Sequence, residues 1–454
     1  MFSSVNKIHF IGIGGIGMSG IAEILLKQGF SVSGSDLNRS DIVEQLESKG
    51  AKIFIGHQAE NVADAEVVVY SSAVNIKENP ETVAAVRNNI PLIRRAEMLA
   101  EVSRLNYCLA ISGTHGKTTT TSMCGLVLIE AGIDPTVIVG GRLKDFGGTN
   151  ARLGDGKWTV VEADEFDRSF LQLSPTIAII NNIEEEHLDI YRDVEDIEQT
   201  FTEFASKIPF YGVILLGIDD TGVKNILPKL NKKVITFGLN RNCDIRGENL
   251  EFDGIESKCD VYNGKEFLGE LKISIPGEHN LKNALAAVAA GIQMGIDFSI
   301  IQSALKKFSG IYRRFDYKGE YSGATVIDDY AHHPSEVKAT LKGARRGWDN
   351  RIITVFQPHT FTRTRDQYKE FAQSFDNSDI VIITDIYPAR EKPIEGIDGN
   401  LIAKSARQYG HKNIIYIPEF KDILPKLKEI ITEGDLVFTL GAGNIWKIAD
   451  ELVS

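Results

Sequence analysis

The amino-acid sequence predicts an α/β protein of three domains, and three observations carry that prediction. Apolar runs of strand length alternate with helical patterns along nearly the whole chain, the mark of parallel strands joined by crossover helices. The chain has 454 residues, more than one core spans when a domain takes roughly 100 to 200 residues. Two of the strand-like runs end in glycine turns that open directly into helices, at Gly12 to Gly17 and at Gly113 to Lys117. Such turns are how α/β sheets present backbone N–H groups to phosphates.

The elements follow in order. Lys7 to Ile13 reads as the first strand, Met18 to Gln28 as a helix after the glycine turn, and Ser31 to Ser35 as the second strand. Val67 to Tyr70 and Pro91 to Ile93 are short strands, and Ala96 to Ser103 is a helix leading to the strand that starts at Tyr107, so a first domain is expected over 1–106. Strands are expected again at Thr159 to Val161 and Ile177 to Ile180. A helix around Ser303 to Phe308 and the turn Ser309-Gly310 close a second domain over 107–312. The third, 313–454, contains short β-rich runs at Ala324 to Ile327, Arg351 to Phe356, Ile380 to Thr384 and Leu436 to Leu440, each followed by polar or glycine residues.

Composition narrows the class. Hydrophobic residues make up 43% and charged residues 25%, the balance of a globular enzyme rather than a disordered or fibrous chain. The net charge of -12 argues against a nonspecific nucleic-acid binder, whose footprint is basic, so an anionic ligand must find local positive sites. Cys108, Cys124, Cys243 and Cys259 form no C-x-x-C pair and are too sparse for a disulfide framework, which fits a reducing cytoplasm. Met1 to Phe10 leads straight into a strand and no apolar run reaches membrane-spanning length, so neither export nor a membrane is expected.

Gly12-Ile13-Gly14-Gly15-Ile16-Gly17 fits G-x-G-x-x-G between a strand and a helix, with Asp36 at the end of the next strand. The pattern alone is a dinucleotide fingerprint. Physically, such a turn brings a backbone to any diphosphate and the acid to any ribose hydroxyl, so dinucleotide and UDP-type ligands both stay open. Ser71 and Ser72, after Tyr70, add hydroxyls at the same sheet edge.

The second turn, Ser112-Gly113-Thr114-His115-Gly116-Lys117-Thr118-Thr119, is a phosphate cradle shorter than the usual G-x-x-x-x-G-K-[ST], which would need a glycine where Ile111 stands. Lys117 is placed to hold the outer phosphates of a nucleotide, and the Thr118 hydroxyl to reach Mg²⁺. Glu162-Ala163-Asp164-Glu165 ends a strand in three carboxylates and offers a second Mg²⁺ ligand. His187, between Glu186 and Asp189, is suited either to a metal or to orienting a phosphate. Pro276 to Ala287 is a polar turn entering an alanine-rich helix, where Asn280 serves either as a helix cap or, with Asn283, as an amide for a purine edge.

The third domain supplies Arg313-Arg314, then Asp328-Asp329-Tyr330-Ala331-His332-His333-Pro334, then Gln357-Pro358-His359-Thr360-Phe361-Thr362-Arg363. Each cluster follows an apolar run or a turn, so all are expected to line one cleft. Five of the nine histidines (187, 279, 332, 333 and 359) fall in such polar clusters, which favours a site over structural roles, and the lack of cysteine partners argues against structural zinc.

Taken together these motifs resemble the Mur ligases, ATP-dependent amino-acid ligases of bacterial cell-wall synthesis. The shortened loop Gly113 to Thr118 is similar to that family's form of the phosphate loop. Ile13 to Glu23, Thr118 to Thr121, Glu162 to Glu165, Asp328 to Pro334 and Tyr387 to Ile394 resemble its branch that adds L-alanine, a likeness spanning residues 8 to about 447. The resemblance implies a Rossmann-like N-terminal domain for the UDP-sugar, a central P-loop ATPase-type domain, and a Rossmann-like C-terminal domain that closes over both.

It also implies substrates and roles. UDP-N-acetylmuramate and L-alanine would be joined at the cost of ATP, with Mg²⁺, through an acyl phosphate, by a monomer or weak homodimer. Gly14, Gly15, Gly17, Ser19, Asp36, Ser71 and Ser72 would meet the UDP-sugar; Ser112 to Thr119 the nucleotide phosphates; Asn280 and Asn283 the adenine; Arg314 the phosphates. Thr118, Glu162 and His187 would hold metal. Asp328, Tyr330, His332, His359 and Arg363 would surround the alanine and the reacting carboxyl. Two positions depart from relatives: Thr202 stands where sister ligases carry a carbamylated lysine, and Thr360 where some carry arginine. An NAD-dependent oxidoreductase built on the first turn would leave the motifs at Gly113, Glu162 and Asp328 without a role. A relative that attaches a recycled peptide to the same nucleotide sugar, and a noncatalytic nucleotide-binding regulator, are the other readings.

Overall fold

The computed structural model of the chain describes residues 5–71, 73–104, 106–141, 149–186, 190–254, 256–308, 310–389 and 391–454. It is a three-domain α/β protein with three largely parallel sheets, distributed over two compact units. The first unit comprises 1–249, 260–271 and 282–308; the second comprises 250–259, 272–281 and 309–454.

The first sheet is built from β1 (Lys7–Ile11), β2 (Ser31–Asp36), β3 (Lys52–Ile55), β4 (Val67–Tyr70) and β5 (Leu92–Arg94), with helices α1 (Ile16–Lys27), α2 (Asp41–Ser48), α3 (Pro80–Arg87) and α4 (Arg95–Ser103). Its order β3-β2-β1-β4-β5 reverses direction between β1 and β4, and every ladder is parallel. That is the switch point at which open α/β sheets bind ligands. The first strand ends at Ile11, two residues short of the expected Ile13. Gly12 turns at φ +77°, and the Gly12 and Ile13 amides leave the ladder to donate to Ser35 O at 2.8 and 3.0 Å.

The second sheet is built from β6 (Tyr107–Ser112), β7 (Thr136–Ile138), β8 (Ala151–Arg152), β9 (Trp158–Glu162), β10 (Ile177–Ile180), β11 (Val213–Gly217), β12 (Val234–Gly238), β13 (Ile245–Asp253), β14 (Glu256–Asn263) and β15 (Glu266–Ile273), in the order β15-β14-β13-β12-β11-β10-β6-β9-β7-β8, with α5 (Lys117–Glu130), α6 (Val194–Ser206) and α7 (Thr221–Ile226). β6 lies between β10 and β9, parallel to both, and β8 runs antiparallel to β7. A single apolar core continues from Ile8 and Val69 in the first sheet to Phe204 and Ile214 in the second. The division between the units passes through β13, β14, β15 and α8 (Glu278–Gln293), after which α9 (Phe298–Lys307) belongs to the first unit.

In the second unit the strands are β16 (Asp316–Tyr321), β17 (Ala324–Asp329), β18 (Ile352–Phe356), β19 (Ile380–Ile383), β20 (Ile414–Tyr416) and β21 (Leu436–Leu440). The helices are α10 (Pro334–Gly347), α11 (Phe361–Ala372), α12 (Gly399–Tyr409), α13 (Phe420–Ile430) and α14 (Trp446–Val453). The order is β16-β17-β21-β18-β19-β20, parallel except for the β16–β17 hairpin. Alternate residues of the central strands enter two separate cores: Ile327, Phe356 and Phe438 on one face, Val326, Val355 and Val437 on the other. Burial on both faces is why these strands read as continuous apolar runs.

Candidate active site

The phosphate loop leaves the middle of the second sheet. Ser112, the last residue of β6, is buried and donates to Ile179 O at 2.9 Å, tying the strand end to β10. Gly113 follows at φ +133°, where a Cβ would lie 3.1 Å from the Asn181 and Asn182 amide nitrogens. The loop is then held by Asn182. Its side chain accepts from His115 N at 2.7 Å and donates to His115 O at 3.2 Å, while its carbonyl accepts from Thr114 N. Gly116, at φ +79°, is the N-cap of α5 and carries no side-chain cap, so the first turn of this helix is arranged for an anion. Thr119 lies in that turn, 9% exposed.

Lys117 does not reach into solvent. Its Nζ donates to Gly113 O at 2.8 Å and to both carboxylate oxygens of Glu165 at 2.8 Å. Burial works against the lysine charge, yet Glu165, Asp164 and Glu162 together push the ammonium above the ordinary lysine range. Burial also pushes the Glu165 carboxyl up, to about 7, against the pull of Lys117. Beside this pair, the Thr118 hydroxyl lies 3.1 and 3.0 Å from the two oxygens of Glu162, which also accepts from Gly140 N at 2.8 Å. Two hard oxygen donors at a phosphate-facing helix start fit Mg²⁺, which keeps water and substrate phosphates as its other ligands. Among the described residues no group of three or more His, Cys, Asp or Glu could hold a metal by itself. His187 and Ser72 lie outside the described residues. Thr202 sits on α6 with its hydroxyl bonded to Glu198 O at 2.8 Å.

Asn283, 7% exposed, packs on the same loop: it accepts from Thr120 Oγ1 at 3.2 Å, and a Cβ on Gly116 would run into its amide oxygen. Asn280 is not the cap of its helix. α8 begins at Glu278, and the Asn280 amide donates back to Pro276 O at 2.7 Å from inside the first turn.

In the first sheet, the glycine turn is bound to the end of β2. Asp36 Oδ2 accepts from Gly14 N at 2.9 Å, and a Cβ on Gly14 would lie 2.9 Å from that oxygen. The Asp36 carboxylate is therefore already engaged by the turn it was expected to face. Gly15 caps α1, and a Cβ on Gly17 would come within 3.0 Å of Arg95 Nη1. Ser19 is 3% exposed and bonds Ile16 O at 3.0 Å, so its hydroxyl is an internal bond of the helix. Ser71 stands half-buried just after β4.

The second unit gathers the remaining residues at the C-terminal ends of β17 and β18. Asp328 is fully buried, receives the Thr439 hydroxyl at 2.6 Å, and pairs with Arg313 Nε at 3.2 Å. The neighbouring Asp329 is pushed up to about 6 by burial, although Arg314 and the Phe315 and Ala331 amides oppose the shift. Arg313 and Arg314 lie over the Tyr330 ring at 4.9 and 5.3 Å. The His332 ring is edge-on to Tyr330 and to His359, at 5.2 and 5.7 Å, and His359 stacks on Tyr387 at 5.7 Å. Glu336 collects the His332 and His333 amides at 3.0 and 3.2 Å and Arg314 Nη1 at 3.4 Å. Burial, followed by the neighbouring His332 and Arg363, holds His359 down to about 4. His359 Nδ1 and Arg363 Nη1 are buried without a hydrogen-bond partner. Thr360, a β-branched residue, is held at φ +66°, a strained backbone of the kind that clusters at ligand sites.

The structure thus brings together Lys117, Thr118, Glu162 and Asn283 in one unit, and Arg314, Asp328, Tyr330, His332, His359 and Arg363 in the other. Sequence reasoning missed Glu165 as the partner of Lys117, Asn182 as the support of the loop, and Arg313 as the partner of Asp328. Nothing in their spacing signals these roles. Glu336, third residue of α10 and three positions after the His333 cap, was within reach of a capping-box argument.

Three family models match the chain in succession. The Mur ligase family, catalytic domain, matches residues 7–107; the Mur ligase middle domain matches 111–291; and the Mur ligase, glutamate ligase domain, matches 313–443. The chain is 49% identical to a UDP-N-acetylmuramate--L-alanine ligase of Geotalea uraniireducens, with 100% of this chain and 98% of that protein covered. It is 50% identical to a protein of the same name from Salinibacter ruber, over 99% and 94% of the two chains. Among solved structures, the UDP-N-acetylmuramate-alanine ligase of Thermotoga maritima is similar at TM-score 0.83 and 30% identity, covering 98% of each chain. A murein peptide ligase of Psychrobacter arcticus shares the fold at TM-score 0.70 and 24% identity, covering 98% of each chain.

Proposed function

The chain belongs to the Mur ligase family, and from that premise we infer that it is an ATP-dependent ligase joining L-alanine to UDP-N-acetylmuramate in peptidoglycan precursor synthesis. The observation that carries the reading is its near 49% identity, over the whole chain, to ligases of that name. Domain boundaries near residues 106 and 312 are part of the proposal. Among the described residues no helix is long and apolar enough to cross a membrane, and we assign the reaction to the cytoplasm, where ATP is available.

The chemistry begins from a difficulty: a carboxylate and an ammonium do not condense to an amide unaided. The substrate carboxylate attacks the γ-phosphorus of ATP, a new carbon-borne O–P bond forms, the bond to the β-phosphate oxygen breaks, and ADP leaves. The alanine ammonium gives up a proton to solvent, the free amine attacks the acyl carbon, phosphate departs from that carbon as the leaving group, and loss of the second amine proton to solvent leaves the amide. The loop Gly113 to Thr118 cradles the phosphates with the start of α5. Lys117, kept charged by its carboxylate neighbours, faces the charge that moves from γ-phosphate to leaving group, where a fixed cation acts most strongly. Thr118 and Glu162, with His187 as the further expected ligand, would hold Mg²⁺, which when bound neutralises charge on the phosphate oxygens.

We assign the glycine turn Gly12 to Gly17 to the diphosphate of the nucleotide sugar and Arg363 to the alanine carboxylate, on the strength of its buried, unpartnered Nη1. His359 stays neutral at pH 7 because its folded-state value is about 4. A neutral imidazole can accept a hydrogen bond from the alanine ammonium, whereas an imidazolium would repel it.

The test is phosphate release by purified protein with ATP, Mg²⁺ and UDP-N-acetylmuramate, measured with L-alanine, glycine, L-serine and a tripeptide. Release dependent on L-alanine is expected. No release with any amino acid would overturn the reading, and preference for the tripeptide would replace it with a peptide-adding activity.

A further inference from the structure

A buried polar cluster lies behind the first glycine turn, and none of the steps above uses it. Glu81, in the first turn of α3, is 0% exposed. Its Oε2 accepts from the Ser35 hydroxyl at 2.6 Å and lies 3.3 Å from His57 Nδ1 and 3.7 Å from His9 Nε2. Its Oε1 accepts from Asn61 Nδ2 at 2.5 Å. His57 Nδ1 is also 2.9 Å from Ser35 Oγ, and His9 Nδ1 is 2.9 Å from Ser33 Oγ. The facing groups come from β1, β2, the segment after β3 and the start of α3, where Asn79 caps the helix through the Glu81 amide at 2.9 Å. Burial works against a charge on Glu81, yet the nearby His9 imidazole and the hydrogen bonds from Ser35 and Asn61 hold its carboxyl below the usual range.

Ser35 is the hinge between this cluster and the turn. Its side chain hangs on Glu81, while its carbonyl receives the Gly12 and Ile13 amides at 2.8 and 3.0 Å. The next residue, Asp36, takes the Gly14 amide at 2.9 Å. Three consecutive amides of the turn are thus aimed by two adjacent residues at the end of β2, and one of the two is anchored from behind by a carboxylate. An apolar filling of this space would serve folding as well as a buried charge does. What the charged hydrogen bond adds is a fixed direction for Ser35.

We propose that Glu81 is a positioning residue for nucleotide-sugar binding: through Ser35 it fixes the end of β2 and with it the glycine turn that receives the diphosphate. This rests on the reading that the turn from Gly12 to Gly17 binds that diphosphate.

The experiment measures the Kd of UDP-N-acetylmuramate by calorimetry, with kcat and the KM of each substrate, for Glu81→Gln, Ser35→Ala, the double variant and Gly14→Ala. Loss of one charged hydrogen bond behind the turn is expected to weaken nucleotide-sugar binding on the order of tenfold. In Glu81→Gln and Ser35→Ala the KM values of ATP and L-alanine and the kcat at saturation should stay within about twofold, and the two single effects should not add in the double variant. Ser35→Ala removes only a hydroxyl and keeps the test decisive if Glu81→Gln does not fold. Wild-type Kd in folded Glu81→Gln or Ser35→Ala, or equal losses for all three substrates, would overturn the proposal. Gly14→Ala places a Cβ against Asp36 and Val43. If it weakens binding while the other variants do not, the positioning role alone fails; if it too binds normally, the assignment of the turn falls and the positioning role with it.

Discussion

Lys117 Nζ lies 2.8 Å from both carboxylate oxygens of Glu165, 48 residues later in the chain. The phosphate-loop lysine is therefore stored as one half of a buried ion pair, with side chains 13% and 3% exposed. Lys117→Ala removes a cation needed against transferring charge, and also leaves Glu165 buried without its partner. The first effect lowers turnover by about a hundredfold or more; the second destabilises by ~3 kcal/mol, as for other broken buried pairs. Lys117→Met with Glu165→Gln should restore the melting temperature but not the activity. Calorimetry beside the phosphate-release assay checks both, and a single variant with normal turnover would end the assigned role.

Gly116 should tolerate no side chain. Its φ of +79° alone strains any L-residue, and the Cβ would collide with the Asn283 amide. Gly116→Ala is expected to lose ATP binding, read by equilibrium dialysis, while nucleotide-sugar binding in the first sheet survives. Normal ATP affinity would show that the loop is not the cradle.

Glu162 and Thr118 make a sharper claim about metal. Glu162→Gln keeps the size and the contact with Gly140 N, 2.8 Å away, but removes the charge that makes the oxygen a good Mg²⁺ ligand. The half-saturating Mg²⁺ concentration should rise on the order of tenfold or more, since even a partner that only supports a metal ligand is worth about that in affinity. Thr118→Ala should move it in the same direction by less. Unchanged Mg²⁺ dependence in both would remove these residues from the metal site.

Strands buried on both faces were legible: Val67–Tyr70, Ile177–Ile180 and Leu436–Leu440 have the bounds that their apolar runs suggested. The excursion β13 to β15 gave no such run, because its residues alternate in exposure, as along Ile245–Asp253, where only Ile245 and Gly247 are buried. The β16–β17 hairpin was hidden in the same way, since Asp316–Tyr321 is a polar strand at a sheet edge. At the site, residue types and local order were readable, but pairings across the chain were not. Glu165 reads as one of three acids, and only the fold selects it for Lys117. Arg313 and Arg314 are adjacent in sequence, and only the fold shows that the first meets Asp328 and the second Glu336.

His359 should set a limit to acid stability. In the folded protein its value is about 4 against an ordinary 6.5, because burial and the neighbouring His332 and Arg363 disfavour the charged ring. The unfolded chain therefore binds more protons between those values. The stability that the neutral ring allows is fully present above pH 6.5 and is lost as pH falls towards 4. Discounted for partial exposure, the loss is on the order of 2 kcal/mol. His359→Gln has no proton to gain, so its melting temperature should fall less than that of the wild type between pH 7 and pH 5. The same substitution should raise the KM for L-alanine. Parallel melting curves across that range would mean that His359 titrates as it does in the unfolded chain, and its role as a neutral acceptor for the alanine ammonium would have to be given up.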